Sequence, residues 1–189
     1  MNHVGTVTID TERLILRKFE VLDAQNMFDN WANSREVCKF LSWEPHGSVE
    51  TTKDILARWM EAYQNSERYH WAIVLKEIGE VIGSLSVITL SEKHQNCELG
   101  YCMGEQYWGK GIMTEAVKAV ISFLFNEVGF HRLYAGHDTL NPASGKVMQK
   151  SGMVLEGTLR HNKVRKDGSF ADGNIWAILS DDWKTPDPY

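Results

Sequence analysis

The sequence lacks the residue patterns that build disulfide frameworks and metal sites. Its three cysteines, Cys38, Cys97 and Cys102, are odd in number and form no C-x-x-C pair, so the pattern indicates neither a disulfide framework nor a zinc site. The seven histidines show no H-x-x-x-H or H-E-x-x-H spacing, which is the spacing of metal ligands on a helix. We therefore expect reduced thiols and a function that needs no metal.

Long apolar runs and an excess of positive charge are also missing. No window approaches the roughly 18 apolar residues that span a bilayer, and the stretch MNHVGTVTIDTERL lacks the basic segment and apolar run of a signal peptide. The formal net charge is -5, whereas nonspecific nucleic-acid binding depends on Lys and Arg. We therefore expect a soluble, cytoplasmic protein that binds neither a membrane nor nucleic acid directly, and whose acidic balance suits a cationic partner.

The composition is that of an ordinary globular protein. The chain has 189 residues, of which 43% are hydrophobic and 24% charged, and a chain of this length buries about two thirds of its unfolded surface. No internal repeat, low-complexity segment or Pro/Gly/Ser linker interrupts it. One domain over residues 1–189, with a core at about 10–183, accounts for the sequence.

The first half of the chain alternates between strand and helix patterns. RLILRKF alternates apolar and polar residues and predicts the first strand, and two helices follow, one capped by Asp23 and one by Ser48 or Thr51. YHWAIVL and VIGSLSVITL predict a hairpin that turns at Gly79, and NCELGYCM predicts a third strand of an antiparallel meander. The order so far is one strand, two helices and three strands.

The second half continues with a long amphipathic helix that begins near Met113 and ends at Gly129. RLYAGHDT then predicts a strand, and NPASGKVMQKSG predicts a short helix with Asn141 as its cap. MVLEGTL and NIWAIL predict two final strands, separated by the polar hairpin RHNKVRKDGSFAD. The whole pattern predicts an α+β fold.

A Gly-x-Gly loop precedes the long helix, in the stretch EQYWGKGIMTEA. Gly109 and Gly111 allow close approach to the backbone N–H groups at a helix N-terminus, where the helix dipole favours an anion. A P-loop requires G-x-x-x-x-G-K-[ST], and a dinucleotide fingerprint requires a third glycine where this chain has Thr114. The loop thus indicates a phosphate site of another kind, although a bare Gly-x-Gly also occurs in simple turns.

The stretch QYWGKG between a strand and a long helix resembles the [RQ]-x-x-G-x-[GA] signature of the GCN5-related N-acetyltransferase (GNAT) superfamily. ELGYCMGEQYWGKGIMTEAV and LNPASGKVMQKSGMVLEG are similar to its ribosomal-protein-alanine branch, the Rim-type enzymes. The resemblance covers nearly the whole chain. It implies one GNAT-like domain with a central mixed, mostly antiparallel sheet of about seven strands, flanked by about four helices and splayed at the acetyl-CoA site.

The resemblance also implies the co-substrate, acetyl-CoA, and the residues that bind it. The loop amides hold its pyrophosphate, the end of the preceding strand pairs with its pantetheine arm, and the Met103 N–H is a candidate donor to the thioester oxygen. Asn141 is implied either to contact the pantetheine arm or to order the strand end beside it. The full set of implied acetyl-CoA contacts is Tyr101, Met103, Gln106, Trp108, Gly109, Lys110, Gly111, Ile112, Met113, Thr114 and Asn141.

Attack on a thioester requires a neutral amine, so a proton has to be removed from the acceptor. Glu98, on the strand that enters the site, is the candidate base, acting directly or through water; its alternative role is a surface carboxylate in an ion pair. The resemblance implies Ser144 near the departing sulfur, as a proton donor or only as a hydrogen-bond partner. Alternatively, Ser144 merely caps its helix.

The resemblance puts the acceptor between the first two helices and the late hairpin. Trp31, Trp43, Trp59 and Trp71 are the aromatic residues available to line it, and Trp43 and Glu44, on a loop that ends in proline, are the better candidates. The implied reaction is direct acetyl transfer in a ternary complex, to a protein N-terminal α-amine such as that of a ribosomal protein. A small-molecule acetyltransferase, a noncatalytic acyl-CoA sensor and a ligand-free interaction module stay open, as do a monomer and a homodimer.

Overall fold

A computed structural model describes residues 1–183. The predicted core of about 10–183 lies within this part, and residues 184–189 of the predicted domain lie outside the described residues. The strands are β1 (Ile9–Asp10), β2 (Leu14–Arg17), β3 (His70–Leu75), β4 (Glu80–Ser91), β5 (Asn96–Met103), β6 (Arg132–Asp138), β7 (Val154–Val164) and β8 (Phe170–Leu179). The α-helices are α1 (Ala24–Met27), α2 (Arg35–Cys38), α3 (Val49–Ala62), α4 (Ile112–Phe123) and α5 (Pro142–Lys150).

The strands form a mixed sheet in the order β1-β2-β3-β4-β5-β6-β8-β7. The pairs β1–β2, β2–β3, β3–β4, β6–β8 and β8–β7 are antiparallel, and β5–β6 is parallel. The predicted α+β fold is therefore confirmed. Over residues 1–183 the sheet has eight strands, not about seven, and there are five α-helices, not about four, because the sequence patterns missed the short elements β1 and α2.

The chain divides into two compact units. The N-terminal unit comprises His3–Val87 and Gly100–Ala116. The C-terminal unit comprises Met1–Asn2, Ile88–Leu99 and, of the described residues, 117–183. Strands β4 and β5 and helix α4 contribute residues to both units.

The core of the N-terminal unit forms between the first helices and the sheet. Helix α3 begins as predicted at Ser48, whose hydroxyl accepts a hydrogen bond from the Thr51 N–H at 3.3 Å. Trp31 and Trp71 are fully buried, with 1% and 0% of their surface exposed, so they cannot line an acceptor groove. The members of the buried cluster are Phe19, Ala24, Met27, Trp31, Ala32, Val37, Leu56, Ala72, Val74 and Val81.

Asp23 does not cap α1 with its side chain as the sequence predicted. Its carboxylate accepts hydrogen bonds from the Arg17 guanidinium, at 2.8 Å to each oxygen, and from the Glu20 N–H at 2.8 Å. The nearby ion pair with β2 thus replaces the predicted cap. Helix α1 continues into a π-helical turn, in which the Asn33 N–H donates to the Phe28 carbonyl at 3.2 Å.

The first helical segment of the C-terminal unit is the second half of α4. A π-helical turn follows α4 and ends as predicted at Gly129, which has a φ of +87°. The last two strands are longer than predicted, because the sequence assigned residues 160–172 to a polar hairpin and the structure leaves only 165–169 between the strands. Every residue of β7 is exposed, so no burial pattern marked this edge strand in the sequence.

Strands β5 and β6 pair over a short distance. The register runs from Asn96 opposite Arg132 to Glu98 opposite Tyr134. Both strands continue beyond that point, β5 to Met103 and β6 to Asp138. The parallel register therefore covers only the beginning of each strand.

Across residues 1–183, no helix combines the length and the apolar character needed to cross a membrane.

Candidate active site

The Gly-x-Gly loop lies between β5 and α4 in the N-terminal unit. A 3₁₀ turn, Glu105–Tyr107, follows β5, and both Gly109 and Gly111 have a φ of +74°. L-residues rarely adopt this left-handed conformation, whereas glycine does so without a steric penalty. The loop therefore requires glycine at both positions for the path of its backbone.

Crowding by the protein does not explain these glycines. A Cβ atom added to Gly109 would meet nothing within 4 Å, and one added to Gly111 would lie 3.7 Å from Arg13 Nη2. The loop thus presents an open backbone surface, which an approaching ligand can reach.

The first turn of α4 supplies N–H groups to this surface. Its first backbone hydrogen bond runs from the Glu115 N–H to the Gly111 carbonyl at 3.1 Å. The N–H groups of Ile112, Met113 and Thr114 precede that bond, so they have no partner in the preceding turn of the helix. Ile112 and Met113 bury their side chains, and only their backbone can serve a ligand. Together with the helix dipole, these donors make an anion site.

A clamp of three side chains holds the loop to the first strands. Glu115 of α4 accepts hydrogen bonds from the Thr11 hydroxyl at 2.7 Å, the Arg13 N–H at 2.9 Å and Arg13 Nε at 2.6 Å. Arg13 Nη1 also donates to the Lys110 carbonyl at 3.0 Å. Arg13 therefore fixes the loop carbonyl and the first turn of α4 together.

The Glu115 carboxylate is stabilised in its charged form by this clamp. Partial burial acts to raise the pKa of Glu115, but the hydrogen bonds from Arg13 and Thr11 outweigh it and lower the pKa below its ordinary value. Glu115 is thus committed to holding the loop, not to accepting a proton near neutral pH.

Gln106, the first residue of the Gln-x-x-Gly-x-Gly motif, is held by Asn30. Its side-chain amide donates to Asn30 Oδ1 at 3.0 Å, and Asn30 Nδ2 donates to the Val81 carbonyl at 2.9 Å. A Cβ atom on Gly104 would lie 2.4 Å from the Asn30 carbonyl oxygen, so glycine is required there by close packing. The π-helical turn that carries Asn30 therefore supports the beginning of the loop.

The end of β5 presents a polar edge on the side away from β4. The Gly104 N–H donates to the Ile82 carbonyl of β4 at 3.0 Å, and backbone groups alternate in direction along a strand. The N–H groups of Met103 and Tyr101 consequently point to the opposite edge. On that edge the Met103 carbonyl accepts a hydrogen bond from Trp108 Nε1 at 2.8 Å.

Glu98 lies in the C-terminal unit, on the paired part of β5. Its side chain is half-buried, and Thr89 Oγ1 donates to Glu98 Oε2 at 3.5 Å. The Thr89 hydroxyl also lies 3.3 Å from the Tyr134 hydroxyl. The hydrogen bond from Thr89 joins Glu98 to a hydroxyl group of the neighbouring strand.

Asn141 and Ser144 lie at the start of α5. The Asn141 side chain caps the helix by accepting a hydrogen bond from the Ser144 N–H at 3.4 Å, as predicted. The Ser144 side chain is half-buried and does not supply the cap. The side-chain cap of α5 is thus Asn141.

A buried histidine fixes the position of α5. His137 Nε2 accepts from Trp176 Nε1 at 3.1 Å, and so Nδ1 carries the proton and donates to the Asp138 carbonyl at 2.8 Å. A Cβ atom on Gly145 would lie 2.6 Å from His137 Nε2. Glycine therefore lets the helix start pack directly on the imidazole ring, which sets where Ser144 lies.

Asp138 orders the connection between β6 and α5. Its carboxylate accepts from Arg165 Nε at 2.7 Å and Arg165 Nη2 at 3.0 Å, and from the Leu140 N–H at 2.8 Å. The hydrogen bond from Arg165 lowers the pKa of Asp138 below its ordinary value. The late hairpin is thus tied to the segment that carries Asn141.

Two of the three cysteine thiols are poor nucleophiles in this fold. Burial raises the pKa of Cys102 to about 12 and raises that of Cys97 as well. A thiolate, not a thiol, attacks an acyl group, so these two residues favour direct transfer over an acyl-cysteine intermediate. Among the described residues, no group of three or more His, Cys, Asp or Glu side chains is arranged to hold a metal ion.

The predicted acceptor residues lie in the N-terminal unit. Trp43 is half-buried against the apolar cluster, with its ring 5.3 Å from that of His46, and Glu44 is exposed. Trp59 is also half-buried and packs 5.1 Å from the Phe19 ring. Trp43 and Glu44 therefore stay the better candidates.

The structure gathers the predicted site residues into two groups. The N-terminal unit carries the loop and strand-end residues from Tyr101 to Thr114, and the C-terminal unit carries Glu98, Asn141 and Ser144. Sequence patterns missed the residues that hold these groups, because their partners are distant in the chain. The missed residues are Thr11, Arg13, Asn30, Thr89, Glu115, Tyr134, His137 and Asp138.

The sequence model of the family described as "Acetyltransferase (GNAT) domain" matches residues 13–154. The chain belongs to this family. GNAT enzymes use acetyl-CoA as their co-substrate, and the chain is an acetyl-CoA-dependent N-acetyltransferase. The matched segment includes the whole Gly-x-Gly loop and both Glu98 and Ser144.

Relatives of this GNAT chain match over nearly their whole length. The chain is 30% identical over 171 residues to "Uncharacterized N-acetyltransferase YoaA" of Bacillus subtilis (strain 168), covering 90% of this chain and 96% of that protein. It is 27% identical over 189 residues to "[Ribosomal protein uS5]-alanine N-acetyltransferase" of Escherichia coli (strain K12), covering 96% and 95%.

A solved structure supports the fold of this GNAT chain. The microcin C7 self-immunity acetyltransferase MccE, in complex with acetyl-CoA and AMP, superposes with a TM-score of 0.80 over 89% of this chain and 93% of that one. The two sequences are 20% identical, and the likeness is one of fold.

Proposed function

We propose that this enzyme transfers the acetyl group of acetyl-CoA to the N-terminal α-amine of a protein, such as a ribosomal protein, by direct attack in a ternary complex. The observation that carries the proposal is the loop at Gly109 and Gly111, whose left-handed glycines open the backbone in front of the first turn of α4. That geometry suits a pyrophosphate.

Residues Gln106 to Thr114 would hold the pyrophosphate. The N–H groups of the loop and of Ile112, Met113 and Thr114 donate, and Gln106 shapes the entry through its bond to Asn30. Trp108 shields the end of β5, and the Lys110 ammonium, whose Nζ lies 5.9 Å from the centre of the Tyr107 ring, adds positive charge.

The outward edge of β5 would pair with the pantetheine arm. The Tyr101 N–H bonds to a pantetheine carbonyl as a neighbouring strand would, and the Met103 N–H donates to the thioester oxygen. Asn141 contacts the same arm from the start of α5. This assignment uses the alternation of backbone groups that the bond between Gly104 and Ile82 fixes.

The chemistry needs a base for the attacking amine. An α-amine has a pKa of about 7.7 to 8.0 and is neutral hundreds of times more often at pH 7 than a lysine amine at about 10.4. Glu98 accepts its proton, directly or through water, as the nitrogen attacks the thioester carbon. The Met103 N–H stabilises the oxyanion, the C–S bond breaks, and Ser144 donates a hydrogen bond or a proton to the departing sulfur.

An α-amine acceptor is favoured over other amines by two considerations. It needs less proton removal than a lysine side chain, and the E. coli relative of 27% identity carries a name that specifies an alanine of ribosomal protein uS5. Trp43 and the exposed Glu44 would receive the cationic N-terminus before it loses its proton.

Calorimetry with coenzyme A tests the co-substrate half of the proposal. Coenzyme A at 100 times its dissociation constant should stabilise the folded chain by about 2.7 kcal/mol, which a thermal shift detects. An absence of both heat and shift would contradict the phosphate site and favour an interaction module without a ligand.

A screen for acceptors tests the other half. Acetylation of N-terminal peptides, polyamines and aminoglycosides, read by mass spectrometry, should be fastest for the peptides. Faster transfer to a polyamine or an aminoglycoside would replace the protein acceptor with a small molecule. Tight binding of acetyl-CoA with no transfer to any amine would indicate an acyl-CoA sensor.

A further inference from the structure

We propose that Thr89 and Tyr134 are positioning residues for the Glu98 carboxylate, through a chain of hydrogen bonds that runs from the phenol to the threonine hydroxyl and on to the carboxylate. The inference rests on the proposed function, in which Glu98 is the base, and it adds the residues that hold that base in place.

The three side chains come from three neighbouring strands of the C-terminal unit. Thr89 lies on β4, Glu98 on β5 and Tyr134 on β6. Thr89 Oγ1 is 3.5 Å from Glu98 Oε2 and 3.3 Å from the Tyr134 hydroxyl. Glu98 and Tyr134 are also direct partners in the parallel register, and their side chains therefore share one face of the sheet.

The direction of each hydrogen bond follows from the carboxylate. An ionised carboxylate only accepts, so the Thr89 hydroxyl must use its single proton to donate to Glu98. The Thr89 oxygen then has only lone pairs to offer to Tyr134, and the phenol must be the donor in the second bond. Both hydrogen bonds consequently donate in the same direction, from Tyr134 to Thr89 and from Thr89 to Glu98.

The position of Tyr134 is itself supported by charged neighbours. The Arg132 guanidinium lies 5.8 Å from the centre of the Tyr134 ring, and Arg132 is held by two hydrogen bonds to Glu156 of β7, at 2.6 and 2.5 Å. Arg132 and Glu156 balance each other in charge. The phenol thus stands against a fixed ion pair, which limits the movement of its ring.

The location of these hydrogen bonds in the sheet explains why Glu98 needs to be held in place. Glu98 and Tyr134 form the last pair of the parallel ladder, before β5 and β6 continue beyond their common register. A half-exposed glutamate has several rotamers available, and a base must stay within reach of its proton. Thr89 restricts Glu98 to the rotamer that it contacts.

The test compares turnover of the variants Thr89→Val, Thr89→Ser and Tyr134→Phe with that of the wild type. Thr89→Val keeps the shape and removes the hydroxyl, and we expect kcat to fall about fivefold, as for one lost hydrogen bond, with an unchanged KM for acetyl-CoA. Thr89→Ser restores the hydroxyl and should recover nearly the wild-type kcat. Tyr134→Phe should lower kcat about twofold, and the double variant should match Thr89→Val alone, because Tyr134 acts through Thr89.

Several results would overturn the inference. These are a wild-type kcat for Thr89→Val, a Thr89→Ser variant as slow as Thr89→Val, or fully independent effects in the double variant. Glu98→Gln separates the two proposals. A slow Glu98→Gln with a normal Thr89→Val removes only the positioning chain, whereas a normal Glu98→Gln removes the base and the chain together.

A second readout needs no acceptor. Carbon-13 relaxation of the Glu98 side chain measures its mobility in the full chain, and we expect it to be more mobile in Thr89→Val than in the wild type or in Thr89→Ser. Equal mobility in all three would contradict the positioning role.

Discussion

The two loop glycines have different neighbours but the same backbone geometry. Gly109 faces open space, Gly111 lies near Arg13, and both have a φ of +74°. Replacing either glycine by a larger residue therefore acts through the path of the backbone. A substitution at a glycine outside the loop, with a similar φ, shows how much of the change in ligand affinity comes from lost stability alone. Gly79 in the hairpin between β3 and β4 provides that comparison, with a φ of +69° and nothing within 4 Å of an added Cβ.

Gly109→Ala should lower both stability and coenzyme A affinity. The left-handed backbone costs an alanine about 1 kcal/mol, and relief of that strain moves the loop N–H groups away from the pyrophosphate. Urea unfolding and calorimetry with coenzyme A measure the two effects.

Gly79→Ala is the matched control for this change. It should lose a similar amount of stability and keep its affinity for coenzyme A. Equal losses of affinity in the two variants would show that general destabilisation, not the loop geometry, governs binding.

Glu98 and Ser144 carry separate parts of the proposed reaction. Glu98→Gln should lower turnover about a hundredfold, the usual contribution of a general base, and most strongly at low pH, where few acceptor amines are already neutral. Ser144→Ala should lower it less, about tenfold, because one hydrogen bond to the sulfur is lost.

Both variants should bind coenzyme A nearly as the wild type does, because neither residue belongs to the phosphate loop. Rate measurements against pH, with calorimetry as the control, check this. Unchanged turnover in either variant would remove that residue from the mechanism.

At the scale of elements, the start of α5 is held by contacts that converge on its N-terminus. His137 packs under Gly145 and Arg165 binds Asp138, while Asn141 caps the helix. Ser144 is thus positioned by a connection that is itself hydrogen-bonded to the late hairpin. Loss of the ion pair between Arg165 and Asp138 should loosen the connection between β6 and α5 before it affects the rest of the sheet.

Asp138→Asn tests that ion pair through its dependence on pH. The hydrogen bond from Arg165 lowers the pKa of Asp138 in the folded state, so the pair stabilises the fold above the ordinary aspartate pKa and its contribution is lost as the pH falls through the folded value. Urea unfolding at pH 7 and pH 3 should show that the free energy of unfolding falls less between these two pH values for Asp138→Asn than for the wild type. Asp54→Asn, on the exposed side of α3, is the control and should behave as the wild type; identical pH dependence in all three chains would refute the pair's role.

Most of the elements, and the caps at Ser48 and Asn141, were predictable because they depend on local patterns, whereas the predicted cap at Asp23 was wrong and the short elements β1 and α2 were missed. Ser48, Asn141, Gly79 and Gly129 occupy their predicted positions, since capping and left-handed turns involve neighbours in the sequence. β7 was predicted too short because an edge strand with both faces exposed leaves no apolar alternation to read.

The supports of the site were not predictable in this way. Arg13 and Glu115 are 102 positions apart and Asn30 and Gln106 are 76 apart, so no periodicity connects them. The glycine motif predicted where the loop lies, and only the fold reveals which side chains hold it.

At the scale of the whole molecule, stability should depend on a buried histidine that has no part in the reaction. His70 is 4% exposed, its Nε2 lies 2.8 Å from Ser84 Oγ, and its ring packs 4.2 Å from that of Trp59. Burial lowers the pKa of His70 to about 3, with a further contribution from the positive charge of Arg68. The folded chain therefore keeps this ring neutral over the range in which the unfolded chain protonates it.

This difference predicts a loss of stability in mild acid. Because the folded pKa lies below the unfolded one, the unfolded state binds the extra proton between about pH 6.5 and pH 3, and the free energy of unfolding falls by about 1.4 kcal/mol per pH unit in that window. Urea titrations at pH 7 and pH 5 should show this decrease in the wild type and a weaker one in His70→Gln. Parallel curves for the two chains would exclude His70 as the cause.

The alternation of backbone groups at the end of β5 has a consequence for isotope exchange. The N–H of Cys102 faces β4, whereas those of Tyr101 and Met103 face the outer edge. Deuterium uptake at the two outer amides should slow when coenzyme A binds, while the amide between them, already shielded by the neighbouring strand, should change little. Occupancy of the enzyme would then be visible as a protection pattern with a period of two residues.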